Sequence, residues 1–242
     1  MRNLARAPGK CLLVFPALAG LAAGCATPAP IIRLAPRASN NVVWVAGRAA
    51  MTREKQGVRV AAAFDRQDEH LLAVRVEVEN RSDESVEVDP DNMTYTTCTG
   101  TARETCRQGD RVIDPEGRLL ALDAQRAWER ADAANDRAAG APLLFLGFVA
   151  DVGNATNNTA AIANEMDGDE ARHDRAISRA EAEKERWSNE ALRRTTLFPG
   201  QVLAGTVYVP IDPHARLVWI QVEVGLRRFP FCFEQTVIRV GS

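Results

Sequence analysis

Most of the usual catalytic equipment is missing from this chain. It has no GxGxxG or P-loop to seat a nucleotide. It has no GxSxG nucleophile elbow and no HExxH zinc pair. Its three histidines, His70, His173 and His214, are far apart, and each reads as a surface residue. No CxxC is present and no histidine lies near Cys98 or Cys106, so the cysteines do not read as a zinc set. A basic excess is also missing. Thirty Lys and Arg stand against 32 Asp and Glu, a net charge of −2, which argues against a nucleic-acid partner. No apolar run reaches the roughly 20 residues that a membrane span needs, and no internal repeat is visible. These absences argue against an enzyme. They leave no candidate catalytic, cofactor-binding or metal-ligating residue, and no cofactor is expected.

What is present begins at the N-terminus. Residues 1–24 have the three parts of a secretory signal. Arg2, Arg6 and Lys10 make a positive start, and an apolar stretch from Leu12 to Ala23 is broken by Pro16 and Gly20. Small residues then lead into Cys25. Leu21-Ala22-Ala23-Gly24-Cys25 resembles the lipobox of bacterial lipoproteins. The resemblance implies cleavage before Cys25, acylation of that cysteine with three fatty chains, and the membrane as a partner through the lipid. Two or more chains anchor a protein stably. Ala26 stands where, by the same resemblance, an aspartate would retain the protein at the inner membrane. The resemblance therefore implies an outer-membrane lipoprotein facing the periplasm. The rival reading is an ordinary signal cleaved near Ala23 or Ala26. Loss of residues 1–24 leaves 218 of the 242 residues and a net charge of −5.

With Cys11 removed and Cys25 acylated, three cysteines remain: Cys98, Cys106 and Cys232. An envelope location permits disulfides. Cys98 and Cys106 flank Thr99-Gly100-Thr101-Ala102-Arg103, a plausible hairpin tip, and are the favoured pair. Closing so short a loop stabilises a fold by roughly 2–3 kcal/mol in the chain-entropy view. Cys232 can replace either partner in the alternative pairings; left free, it reads as a core residue.

Behind the anchor, residues 25–41 carry Pro28, Pro30 and Pro36 and read as a tether, because proline disfavours both helix and sheet interiors. Residues 42–114 then read as strands. Leu72, Val74, Val76 and Val78 alternate with Ala73, Arg75, Glu77 and Glu79, the period of a half-buried strand. Val86 and Val88 repeat it. Asp114-Pro115 signals a helix start. Residues 115–196 read as a helical insertion of three segments, broken at Gly140-Ala141-Pro142 and at Asp167-Gly168-Asp169. Leu120, Ala124, Ala127, Ala131, Ala134 and Ala138 are expected to form a close-packing seam. Leu143 to Val149 is expected in the core of the insertion; the sharper idea is a surface for a membrane or a partner. Arg179/Glu183, Arg186/Glu190 and Glu190/Arg194 are expected as i,i+4 pairs. Strands return over 197–242, where Val218, Ile220, Val222 and Val224 alternate.

Strands, a helical block and strands again predict an α+β chain: an antiparallel sandwich carrying a helical insertion. Val76-Glu77-Val78-Glu79-Asn80-Arg81-Ser82-Asp83, Val86-Glu87-Val88-Asp89-Pro90, and Leu197-Phe198-Pro199-Gly200-Gln201 with Gly205-Thr206-Val207-Tyr208-Val209-Pro210 resemble the immunoglobulin-like sandwich domains of bacterial envelope lipoproteins. That resemblance implies a binding or structural role with a protein partner. A narrower version is an anchoring lipoprotein of a secretion or surface machine. The oxygen-rich clusters Asp89/Asp91/Asn92 and Asp167/Asp169/Glu170 lack EF-hand spacing and read as turn chemistry.

Overall fold

The alternating valines close a two-layer body. The computed structural model describes residues 30–37, 42–45, 47–101, 105–107, 109–154 and 158–239, the side chains of 149–154 and 158 aside. In chain order the elements are β1 (Ile31–Pro36), β2 (Val42–Val45), β3 (Arg48–Lys55), β4 (Val58–Asp68), β5 (Leu71–Asn80), β6 (Val86–Val88), β7 (Thr94–Cys98), β8 (Asp110–Arg111), α1 (Pro115–Asn154), α2 (Asn158–Glu190), β9 (Thr195–Leu197), β10 (Val202–Pro210), β11 (Leu217–Val224) and β12 (Arg227–Ile238).

All the sheet pairings are antiparallel. One sheet has five strands in the order β10-β5-β4-β3-β2. The other has seven: β1, β12 and β11 run side by side, and β11 then pairs with β6 toward β9 and with β7 toward β8. One core lies between the sheets. Val58, Val60, Leu72, Val74, Val76 and Val78 from the first sheet meet Ile220, Val222, Val224, Phe229, Phe231 and Phe233 from the second. Each such side chain contributes about 1.5–3 kcal/mol when fully buried. The period of two is the cause, since it sends every second residue of β5 and β11 inward. Gln56 and Gly57 both have positive φ (49° and 72°), so β3 and β4 join through a two-residue turn whose twist suits a hairpin.

The expected tether is shorter than the sequence suggests. Residues 31–36 pair with β12 from Ile31 opposite Ile238 to Pro36 opposite Phe233, and Ile32 and Leu34 are buried. Proline is compatible with this place because β1 is an edge strand and Pro36 ends it. Gln67 supplies the anchor point: its Oε1 accepts from the Ile32 N–H at 2.6 Å and its Nε2 donates to the Pro30 carbonyl at 3.2 Å.

The helical block also differs from expectation. Both expected breaks lie inside helices, so α1 and α2 form one long hairpin. Pro142 and Ala138, whose carbonyl loses its intrahelical donor, are both exposed, and water can serve that carbonyl. Gly168 has open space around it. The alanine seam faces solvent. The side of α1 turned to α2 carries Leu119, Leu122, Ala133, Gly140 and Gly147, with Arg126 and Glu129 half-buried between them. On α2, Met166, His173, Ala180 and Trp187 recur every seven residues on the inner face, the repeat of paired helices. This rotation brings Arg118, Glu129, Asp136 and Arg137 opposite Glu183, His173 and Glu170, and it sets Gly140 close against Met166.

Asp114 caps α1 as its sequence context predicts, accepting from the N–H groups of Glu116 and Gly117 at 2.9 Å each.

Candidate interaction site

The two ends of the hairpin are built differently. At its root, Leu119, Leu122, Ala180 and Trp187 pack on Ala73 of β5 and Tyr208 of β10, on the outer face of the five-stranded sheet. The Ile113 N–H donates to the Tyr208 carbonyl, and the Leu192 N–H donates to the Thr206 carbonyl, both at 2.9 Å. This second contact requires glycine at 205. A Cβ there would lie 2.6 Å from the Leu192 Cα, so only a residue without one lets the two backbones approach.

Ion pairs ring the root. Arg66 donates to Glu190. Arg186 pairs with Asp68 at 2.9 Å, Arg118 with Glu183 at 2.5 Å, Arg193 with Glu116 at 2.7 Å and Arg194 with Glu87 at 2.7 Å. Glu183, Arg186, Glu190 and Arg194 are four of the charges expected to pair along α2. They instead join α2 and the chain after it to α1 and to the sandwich. The Glu190 carboxylate beside Arg66 helps hold that guanidinium's pKa up against the burial that lowers it. Tyr208 is held above its ordinary value, chiefly by burial.

Halfway along, His173 is not the surface residue its sequence context suggests. It is 4% exposed. Its Nδ1 lies 3.0 Å from Glu129 and its Nε2 3.0 Å from Asp136, both on α1. With a carboxylate on each nitrogen, the doubly protonated ring satisfies both bonds. Its pKa is raised by the hydrogen bonds to Glu129 and Asp136, against burial and the nearby Arg172. Asp169 lies one turn away and takes an ion pair with Arg172 at 3.3 Å.

Toward the far end, the run expected in the core of the insertion is turned outward. Leu143, Phe145, Leu146 and Phe148 are all more than half exposed, Phe145 at 67%. Among the described side chains of this run, Leu144 is half-buried and Gly147 is buried against Thr159 and Ile162 of α2. An apolar band therefore surrounds α1 on its open sides. From 138 to 171 the sequence contains no Lys or Arg.

A second open surface is β2, the terminal strand of its sheet among the described residues. Val43, Trp44 and Val45 are exposed there, Trp44 at 76%.

The remaining sequence candidates fall as follows. Cys25 lies outside the described residues. Cys98 and Cys106 form a disulfide at the mouth of the β7–β8 hairpin. Cys232 is free and buried, beside Leu217 and Cys98 on the outer face of the larger sheet. Burial pushes its thiol pKa up against a hydrogen bond from Arg37, which favours the neutral thiol over the thiolate. Asp89 caps a short turn, accepting from the Asp91 N–H at 3.1 Å and from Asn92 at 3.3 Å. Among the described residues no group of three His, Cys, Asp or Glu is placed to hold a metal ion, and no helix is long and apolar enough to cross a membrane.

Sequence reasoning missed Gln67 and the His173 clasp, and it gave Glu190 partners within α2 where the structure gives it Arg66. Each acts across elements far apart in the chain, and a local pattern does not announce such partners. The apolar band was visible as a run, and the structure favours the surface reading over the expected core placement. Comparison with known proteins finds no matching family model and no similar curated protein.

Proposed function

We propose that this protein is a lipid-anchored envelope lipoprotein, attached through Cys25 to the outer membrane and facing the periplasm. In this reading it is not an enzyme; it holds a protein partner near the membrane. The sandwich is taken as an immunoglobulin-like domain whose free edge makes the contact.

The observation that carries the reading is β2. Among the described residues no strand pairs with its outer edge, and its exposed side chains are valines and a tryptophan. Natural edge strands are blunted with charge, proline or a cover unless they are used. An extended segment of a partner can add to such an edge through main-chain hydrogen bonds, with alternate side chains giving specificity. Trp44 is the anchor of that contact, since large aromatics dominate interface energetics.

Co-purification of the wild-type and Trp44→Asp proteins from envelope in mild detergent tests it. A stoichiometric protein that accompanies the wild type and is lost from the variant supports the reading. Recovery of the wild type with lipid alone overturns it. Fatty-acid labelling of a Cys25→Ser variant tests the anchor, and continued labelling would sink it.

A further inference from the structure

We propose that the apolar band of α1 is a second membrane contact, seated at the headgroup–acyl boundary of the same leaflet that holds the Cys25 lipid. The inference rests on the anchor reading above and adds an orientation to it.

Three consecutive residues near the end of β4 tie the N-terminal chain to the hairpin. Gln67 binds Pro30 and Ile32, where the N-terminal chain enters the sheet. Its neighbours Arg66 and Asp68 bind Glu190 and Arg186, at the root of the hairpin. The N-terminal chain and the hairpin therefore share one end of the sandwich. The root contacts also give a direction. Leu192 lies opposite Thr206, Trp187 lies on Tyr208, and Arg186 reaches Asp68 at the β4–β5 turn. Following α2 backward from Leu192, the helix runs outward past that turn, at the end where Pro30 emerges.

Two lengths then conflict unless the hairpin meets the bilayer. The chain from Cys25 to Pro30 is five residues, which extend to at most about 18 Å. From Leu122, the last root contact of α1, to the band at 143–148 is 21 to 26 residues. At 1.5 Å per residue that is about 30–40 Å. An arm that long cannot stand upright in the space that the linker allows. It lies obliquely on the membrane surface, and its outer part comes down onto the lipid. Leu143, Phe145, Leu146 and Phe148 are the side chains found there. A helix that is apolar on all its sides is ordinarily buried in protein or lipid.

The depth follows from the sequence on either side. Asp151 and the asparagines at 154, 157 and 158 come directly after the band, so the side chains dip into the boundary and the helix does not cross. The charge selects the lipid. Residues 138–171 contain Asp151, Glu165, Asp167, Asp169 and Glu170 and no basic residue. Glu170 and Asp169 are neutralised by Arg137 and Arg172 just outside this window; the remaining Asp151, Glu165 and Asp167 disfavour anionic headgroups, so the band is assigned to a zwitterionic surface.

The test uses full-length lipidated protein in vesicles of phosphatidylcholine and phosphatidylethanolamine. Phe145→Cys carries an environment-sensitive fluorophore, with Arg130→Cys as a stalk control, both in a Cys232→Ala background. Expected are blue-shifted emission at 145 and at least twofold quenching by lipids with a nitroxide near the top of the acyl chain, with neither change at 130. Adding phosphatidylserine is expected to reduce the quenching. Water-like emission at 145 in protein whose Cys25 is shown by mass spectrometry to be acylated would overturn the proposal while leaving the anchor intact. A blue shift without nitroxide quenching would also overturn it, since the band would then lie against a second copy. Absence of acyl chains on Cys25 would overturn the anchor reading, and this one with it.

Discussion

Trp187 of α2 lies on Tyr208 of β10, with ring centroids 4.1 Å apart and planes inclined by 33°. Both side chains are almost fully buried. This contact is the main apolar link between a charged hairpin and a valine-rich sandwich. Replacing Trp187 by alanine removes its burial and opens a cavity, which costs about 3–5 kcal/mol for a large aromatic. Denaturant unfolding of Trp187→Ala is expected to show that loss, and Trp187→Phe a smaller one. Unchanged stability in the alanine variant would show that the root is held by its ion pairs.

The His173 clasp predicts a pH dependence with a definite sign. The folded pKa is raised above the ordinary value by Glu129 and Asp136. The folded state therefore binds the proton more tightly than the unfolded chain does. The contribution is fully present below the ordinary histidine value of about 6.5 and is lost as pH rises through the elevated folded value. Asp169, Glu170 and Arg172 on α2 face the same region and set its background. Amide exchange in α2 is expected to quicken as pH rises, beyond the intrinsic rate change, and His173→Gln is expected to flatten that dependence. A wild-type profile that matches the variant's would contradict the clasp.

Asn80 predicts a large local cost. It is fully buried. Its Nδ2 donates to the carbonyls of Glu84 at 2.8 Å and Leu197 at 3.0 Å, and its Oδ1 accepts from the Ser82 N–H at 3.1 Å and the Ser82 hydroxyl at 2.6 Å. The Asn80→Ala change leaves the Leu197 carbonyl buried without this donor, where an unmet group costs about 1–3 kcal/mol. Thermal melting should place Asn80→Ala well below wild type. A melting point within a degree of wild type would mean that water replaces the amide.

Reduction of the Cys98–Cys106 disulfide should lower stability by roughly 2–3 kcal/mol, the entropy of a short closed loop. The readout is the urea midpoint with and without reductant, repeated on the Cys98→Ser/Cys106→Ser double variant. Reductant should not move the double variant's midpoint; if it does, Cys232 takes part in the redox behaviour.

The legible and illegible parts of the fold divide along one physical line. The core faces of β5, β6 and β11 were readable because a strand's own alternation encodes its burial. The Cys98–Cys106 pairing was readable because the loop between them is short. By contrast, β1 takes its strand identity from β12 and from Gln67, and its flanking prolines suggest the opposite. The rotation of α1 was hidden for the same reason. Alanine at helical spacing suggested a seam, but Glu183, His173 and Glu170 on α2 have Arg118, Glu129, Asp136 and Arg137 opposite them. Gly140 and Pro142 looked like a stop signal, yet paired helices continued through them. The exposure of Phe145 was only the second reading of its run, since a run of apolar residues has the same sequence whether it faces a core or an open surface.

Both strands of chain that connect the hairpin to the sandwich arrive at neighbouring points of β10, Ile113 at Tyr208 and Leu192 at Thr206. Arg193 and Glu116 tie the two crossings together. The hairpin is thus a cassette with adjoining ends, and a short loop spanning them would leave every sandwich strand in place. Its length can change by whole turns without disturbing the core, which makes the reach of the arm the most freely adjustable dimension of the molecule.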